Sequence, residues 1–180
     1  MSAHGATASL ILHPAGHAPA VERIEIGAAR TPENTLLLRY TLVGELGALA
    51  LPRAGAPSRA DELWKHTCFE AFVRPDADAA SYVELNLAPS RQGAAYAFDS
   101  YRAGMRNADA SDASNIETSV MGRMYTLRAA IPLSTLGDGE WKIAITAVIE
   151  DAKGEKSYWS LAHAPGNPDF HNAGGFVLTL

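Results

Sequence analysis

The chain has one cysteine, Cys68, in 180 residues. A lone thiol cannot close an intramolecular disulfide, and paired-cysteine zinc motifs are excluded with it. Its use is compatible with a reducing cytoplasm. The apolar run near the N-terminus, Leu10, Ile11 and Leu12, follows no basic segment. It is far too short for a signal peptide or for the roughly 20 residues of a membrane span. The expectation is a soluble cytoplasmic protein without a membrane partner. Positive charge is also scarce: 15 Lys and Arg against 20 Asp and Glu leave a net charge of −5, with the basic residues scattered. That gives no electrostatic footprint for nucleic acid or for an anionic membrane surface. G-x-S-x-G, P-loop and G-x-G-x-x-G motifs are absent, so no nucleophile elbow or phosphate cradle is expected.

What is present is apolar substance and strand periodicity. Hydrophobic residues make up 47% of the chain. A single domain over residues 1–180 can bury about 70% of the surface of its unfolded chain. Strand-like runs fall at 9–13, 21–28, 35–43, 64–74, 81–88, 94–102, 116–120, 123–131, 141–151, 156–163 and 176–180. Turn formers separate them, including Asp138-Gly139 and Lys153-Gly154. Pro132–Leu136 reads as one helical turn. The absence of βαβ alternation argues against a parallel sheet. The expected fold is all-β, an antiparallel, jelly-roll-like β-sandwich of about ten strands. Two long loops, 44–62 and 103–115, are either functional or mobile.

The segment 64–88, WKHTCFEAFVRPDADAASYVELNLA, carries the most chemistry. Successive strand side chains point to opposite faces. Phe69, Ala71, Val73, Val83, Leu85 and Leu87 therefore share an apolar face. Trp64, His66, Cys68, Glu70, Phe72, Tyr82, Glu84 and Asn86 share the other. If both apolar sets face the core, residue 70 lies opposite 84 or 86 and never 85. Either register makes Glu70 and Glu84 neighbours, and two carboxyls that close raise one pKa unless a cation intervenes. Arg39, Arg74, Arg102 and Arg128 are the candidate cations.

This face reads either as a solvated sheet surface or as a site for a polyol or sugar. A sugar needs planar donors and acceptors, which Glu70, Glu84, Asn86 and Arg102 offer. It also needs aromatic faces for its C–H surface, which Trp64, Tyr96 and Trp159 offer. Near the C-terminus, Asp169 and His171 flank Phe170. The pair could orient an imidazole, or Asp169 could cap a turn while Phe170 plugs the core. Zinc held by His66, Cys68 and His163 or His171 matches no tight spacing, and Cys68 is expected as a small buried hydrophobe. Loop carboxylates Asp109, Asp112 and Asp151 leave a calcium site open.

Four segments, LWKHTCFEAFV, YVELNLAPS, AAYAFDSYRAGM and YWSLAHAPGNPDFH, occur in an order that resembles the DOMON-like superfamily. The nearest likeness is its stand-alone bacterial branch, related to the family 9 carbohydrate-binding modules. The resemblance runs from about residue 61 to the C-terminus. It implies a β-sandwich with a ligand site on one sheet or its edge, and says less about the ligand. Trp64 matches a sugar-stacking position in the sugar-binding branch, with Trp159 as the candidate for its partner. The haem-binding branch implies an axial methionine, here Met105, Met121 or Met124, with His66 or His171. The leading expectation is a non-catalytic domain that binds a small ligand, a saccharide or polyol, without a cofactor. The alternatives are a haem-binding redox module and a glycoside hydrolase using Glu70 and Glu84, for which carboxyls about 5–5.5 Å apart would be needed. Oligomeric state is not legible.

Overall fold

The computed structural model describes residues 4–108 and 115–180. Asp109, Asp112 and the rest of residues 109–114, within the second long loop, lie outside the described residues. Five strands form one sheet: β1 (His4–Ser9), β3 (Val21–Arg30), β4 (Thr35–Gly44), β11 (Met124–Pro132) and β10 (Ile116–Met121), in the order β1-β3-β4-β11-β10. The second sheet has the order β2-β13-β12-β6-β7-β8-β5. These are β2 (Ile11–Leu12), β13 (Lys156–Ser160), β12 (Lys142–Glu150), β6 (Cys68–Arg74), β7 (Tyr82–Leu87), β8 (Gln92–Phe98) and β5 (Ser58–Arg59). β14 (Leu178–Thr179) joins it beside β12, and β9 (Arg106–Asn107) beside β8. Fourteen strands are thus described, of which ten run five residues or longer. The four two-residue strands are too short to show a period-two signal in the sequence. All pairings are antiparallel except the two-residue contact of β5 with β8.

The two sheets close on one apolar core. Ile24, Ile26, Leu36, Leu38, Leu42 and Leu127 come from the smaller sheet. Phe69, Ala71, Val73, Leu85, Ile143 and Ile145 come from the larger. Alternation drives this: along β4 the even positions are buried and the odd ones face outward. Tyr40 crosses the interface, and its hydroxyl donates to the Glu70 carbonyl at 2.7 Å.

In the larger sheet the alternation fails, because both faces are covered. Six of the seven residues of β6 and all six of β7 are buried. Phe72, Tyr82, Tyr96, Phe98 and Phe176 form a second apolar cluster on the sheet's outer face, with Trp64 and Phe170 packed on it. The C-terminal segment 161–177 lies over this face. Its course is pinned by a bond from Ser160 Oγ to the Ala162 carbonyl at 2.7 Å and by Gly174 N–H donating to Asn172 at 2.9 Å.

Several boundaries differ from expectation. The run at 9–13 breaks at buried Leu10, where the chain passes from the five-stranded sheet (β1) to the larger one (β2). Leu63–Lys65 is a 3-10 turn entered through Glu62 at φ +60°, so the strand begins only at Cys68. Arg102 lies in a turn beyond β8. The Lys153-Gly154 turn forms as expected: Gly154 takes φ +85°, and Asp151 accepts from the backbone N–H groups of Lys153 and Glu155.

Candidate functional site

Register places the acidic pair. Glu70 lies opposite Asn86 on one side and Thr146 on the other, and Glu84 lies opposite Phe72. Of the two registers the sequence allows, the diagonal one is adopted, and both carboxyls rise from the outer face of the larger sheet. There they floor a cavity of about 380 Å³ with Phe72 and Val148. Trp64, Phe98 and Tyr158 form its aromatic sides. Arg102, Met105, Pro168, Phe170 and His171 close the rest.

The floor of the cavity is buried and carries two carboxyls. Glu70 is only 2% exposed; its Oε1 and the Oγ1 of Thr146, the residue directly opposite, are both buried without a well-formed hydrogen bond. Burial, reinforced by the charge of Glu84, pushes the Glu70 carboxyl well above the ordinary glutamate range, and Thr146 and Cys68 stand close enough to work against that rise. Glu84, 5% exposed, is also raised by burial, with Asn86 and Arg102 working against the shift. Asn86 sits beneath: its Nδ2 donates to Glu84 Oε1 at 2.8 Å, and it accepts from the Cys68 thiol at 3.6 Å. Cys68 is fully buried as a small hydrophobe, and burial raises its thiol pKa.

The opposite side is built from a turn and the C-terminal segment. Arg102 takes φ +52°, a costly conformation for a residue with a Cβ. Three contacts hold it. Its N–H donates to the Tyr82 hydroxyl at 3.2 Å, and its guanidinium donates to Asp169 at 2.8 Å. Tyr101, its neighbour, donates to the same carboxylate at 2.9 Å. Against the cost of partial burial, the bonds from Arg102 and Tyr101 hold the Asp169 carboxyl below its usual range. The Tyr82 hydroxyl, which accepts from the Arg102 N–H, also shares a hydrogen bond with His171 Nδ1 at 2.7 Å. The other ring nitrogen, Nε2, faces Glu84 at 3.8 Å. Burial and then the charge of Arg102 lower the imidazole to about 4, so His171 is neutral at pH 7.

The expected residues divide accordingly. Trp64, Glu70, Glu84, Arg102 and His171 line the cavity, and Asp169 and Asn86 hold its lining in place. Asp169 also accepts from the His171 N–H as a turn cap at 3.2 Å. Phe170 packs against Tyr158 rather than plugging the core. Tyr96 is buried behind Trp64, with ring centroids 5.8 Å apart, and its hydroxyl donates to Asp61 at 2.6 Å. Two expectations are corrected. Trp159 points into the sandwich core, 6% exposed, with its Nε1 bonded to Ser157; Tyr158 occupies the cavity in its stead. His66 lies just before the strand and turns away, exposed, to pair with Glu150 at 2.7 Å. Arg39 and Arg128 belong to the other sheet, and Arg74 stacks on Phe176 at 4.1 Å. Among the described residues no group of three or more His, Cys, Asp or Glu side chains converges as a cation site. Nor is any helix among them long and apolar enough to cross a membrane.

Fold and site together describe a β-sandwich with a roofed, mixed polar and aromatic cavity on its larger sheet. No protein-family model matches the chain, and no curated protein matches it. Solved structures do. One is a Bacteroides uniformis protein described provisionally as carbohydrate-binding, at 17% identity and TM-score 0.63, over 86% of this chain and 76% of that one. Two others are family 9 carbohydrate-binding modules from Caldicellulosiruptor kristjanssonii. The glucose complex gives 14% identity and TM-score 0.47, over 81% of this chain and 69% of that one. The cellotriose complex gives 16% and 0.48, over 85% and 72%. The first of these likenesses shows a shared sandwich fold.

Proposed function

We propose that the cavity binds a neutral saccharide or polyol without catalysis. One observation carries the reading: Glu70 Oε1 is buried, without a partner, on the floor of a cavity with aromatic sides. A buried acceptor left unmade is costly, and a ligand hydroxyl would satisfy it once the Glu70 carboxyl turns toward the cavity. A protonated Glu70 can also donate to a second ligand oxygen. Trp64, Tyr158 and Phe170 offer faces to the C–H surface of a sugar ring. A volume near 380 Å³ suits a ligand of mono- or disaccharide size. The carbohydrate-binding description of the B. uniformis protein and the DOMON-like resemblance agree with this reading, and the lone buried thiol agrees with a cytoplasmic setting.

The alternatives fit these residues less well. A retaining glycosidase needs one ionised carboxylate as nucleophile, and burial raises both Glu70 and Glu84. An axial haem ligand needs an imidazole nitrogen turned to the iron. Met105 and His171 do share the cavity, but both nitrogens of His171 face protein groups, Tyr82 and Glu84. Titration calorimetry with glucose and cellobiose tests the proposal. Binding that weakens at least about tenfold in Glu84→Gln supports it. No heat from any mono- or disaccharide, or a Soret band after haem addition, refutes it.

A further inference from the structure

A larger cavity, about 670 Å³, lies on the far side of the molecule, on the outer face of the five-stranded sheet. Its floor is one continuous cross-strand row: Thr7, Gly27, Arg39, Arg128 and Glu117, each directly opposite the next. The adjoining row is Gly5, Ala29, Leu37 and Ala130. Small residues beside large basic ones make a trough. The guanidinium of Arg39 lies over Gly27, its Nε 3.7 Å from where a Cβ at that glycine would stand.

Arg39 and Arg128 are the unusual feature. Directly opposed like charges repel. Yet among the described residues neither arginine has a carboxylate partner. Glu117, across from Arg128, pairs with neither of them. A third arginine, Arg91, enters the trough from the turn after β7. Its Nε donates to the Ile116 carbonyl at 2.8 Å, which anchors it at the end of the trough. A chain of net charge −5 thus gathers three cations around one concave face.

The geometry points to a second binding site on this face, for a small organic oxyanion whose carboxylate or phosphate is clamped between Arg39 and Arg128. Paired guanidiniums present forked donors that match such groups. The flanking glycines and alanines let the body of the ligand lie against the sheet. The volume falls within the ordinary range for small-molecule sites. The site is independent of the Glu70 cavity and does not need that reading to hold.

Amide NMR titration of the full chain tests it, with citrate as the carboxylate arm, glucose 6-phosphate as the phosphate arm, and glucose as the uncharged control. The expected result is shifts at the amides of Gly5, Gly27, Ala29 and Ala130 with one or both anions and none there with glucose. Binding should weaken at least about tenfold in Arg39→Gln and Arg128→Gln. Both arginines are exposed, so these variants should fold. In the absence of anion at low salt, Arg39→Gln should melt higher than the wild type, because it relieves the opposed charges and leaves Arg128 facing Glu117. Three outcomes overturn the proposal: no anion-induced shifts, shifts unchanged in both arginine variants, or a self-association in which a second copy covers this face and anions have no effect on it.

Discussion

The two outer faces of this sandwich have the same architecture and opposite chemistry. On the larger sheet the face is roofed by residues 161–177, carries a second apolar cluster and buries two carboxyls. On the smaller sheet the face is open, floored by glycine and alanine, and keeps its arginines in water. Covering is what separates them. Under a roof a carboxyl loses its hydration and is driven toward its neutral form, which suits neutral ligands rich in hydroxyls. In the open trough the guanidiniums stay charged and hydrated, so any ligand there must supply the opposite charge.

Mutations probe this contrast, beginning with packing. Phe72 is buried in the outer cluster. Phe72→Ala should cost about 3–5 kcal/mol in urea unfolding. Leu37→Ala, in the open trough, should stay within about 0.5 kcal/mol. Equal costs would mean that the roofed face is no true second core. Next comes the aromatic side of the cavity. Trp64→Ala should weaken saccharide binding by about thirtyfold, roughly 2 kcal/mol, in calorimetry. Anion binding at the trough should not change.

Protonation gives the third test. The Glu70 carboxyl is raised in the fold, so as pH climbs above 4.5 the unfolded chain ionises and the folded one resists. Stability is therefore lost from there upward. Glu70→Gln removes the loss, and its melting temperature relative to wild type should rise as pH climbs above about 4.5. His171 acts at the acid end. Its folded value near 4 lies below the ordinary 6.5, so its contribution is full above pH 6.5 and falls as pH drops toward 4. His171→Gln should flatten that acid limb. The smallest effect is expected at Asp169→Asn. The Arg102 partner in this pair is half exposed, so global stability should change by less than about 1 kcal/mol. Hydrogen exchange over residues 163–176 should nonetheless quicken, because that carboxylate ties the roof to the Arg102 turn.

How far this was legible from the chain follows from geometry. Period two is a property of strand backbone. The pattern of 64–88 therefore placed Glu70, Glu84, Asn86 and Phe72 on one face and limited the register to two choices. It could not choose between them, since each satisfies the apolar face equally. It also could not show that both faces of β6 and β7 are buried, because the cover comes from a segment some 80 residues later. Trp159 shows how sharp the limit is. A strand's parity depends on its partner, and pairing of Ala147 with Trp159 and Val148 with Tyr158 turned the tryptophan inward and the tyrosine out. His66 failed for a local reason: the 3-10 turn at Leu63–Lys65 ends just before it, so strand parity never applied to it.

By itself the chain determined an all-β sandwich, a buried unpaired thiol and an acidic hairpin face, because composition and alternation act locally and need no partner. Only the tertiary structure decided that a distant loop would roof that face and raise the pKa of its acids. It alone also brought Arg39, Arg128 and Arg91, far apart in sequence, into one trough. Burial and charge proximity depend on which strands lie side by side, and that is settled by the packing of the whole molecule.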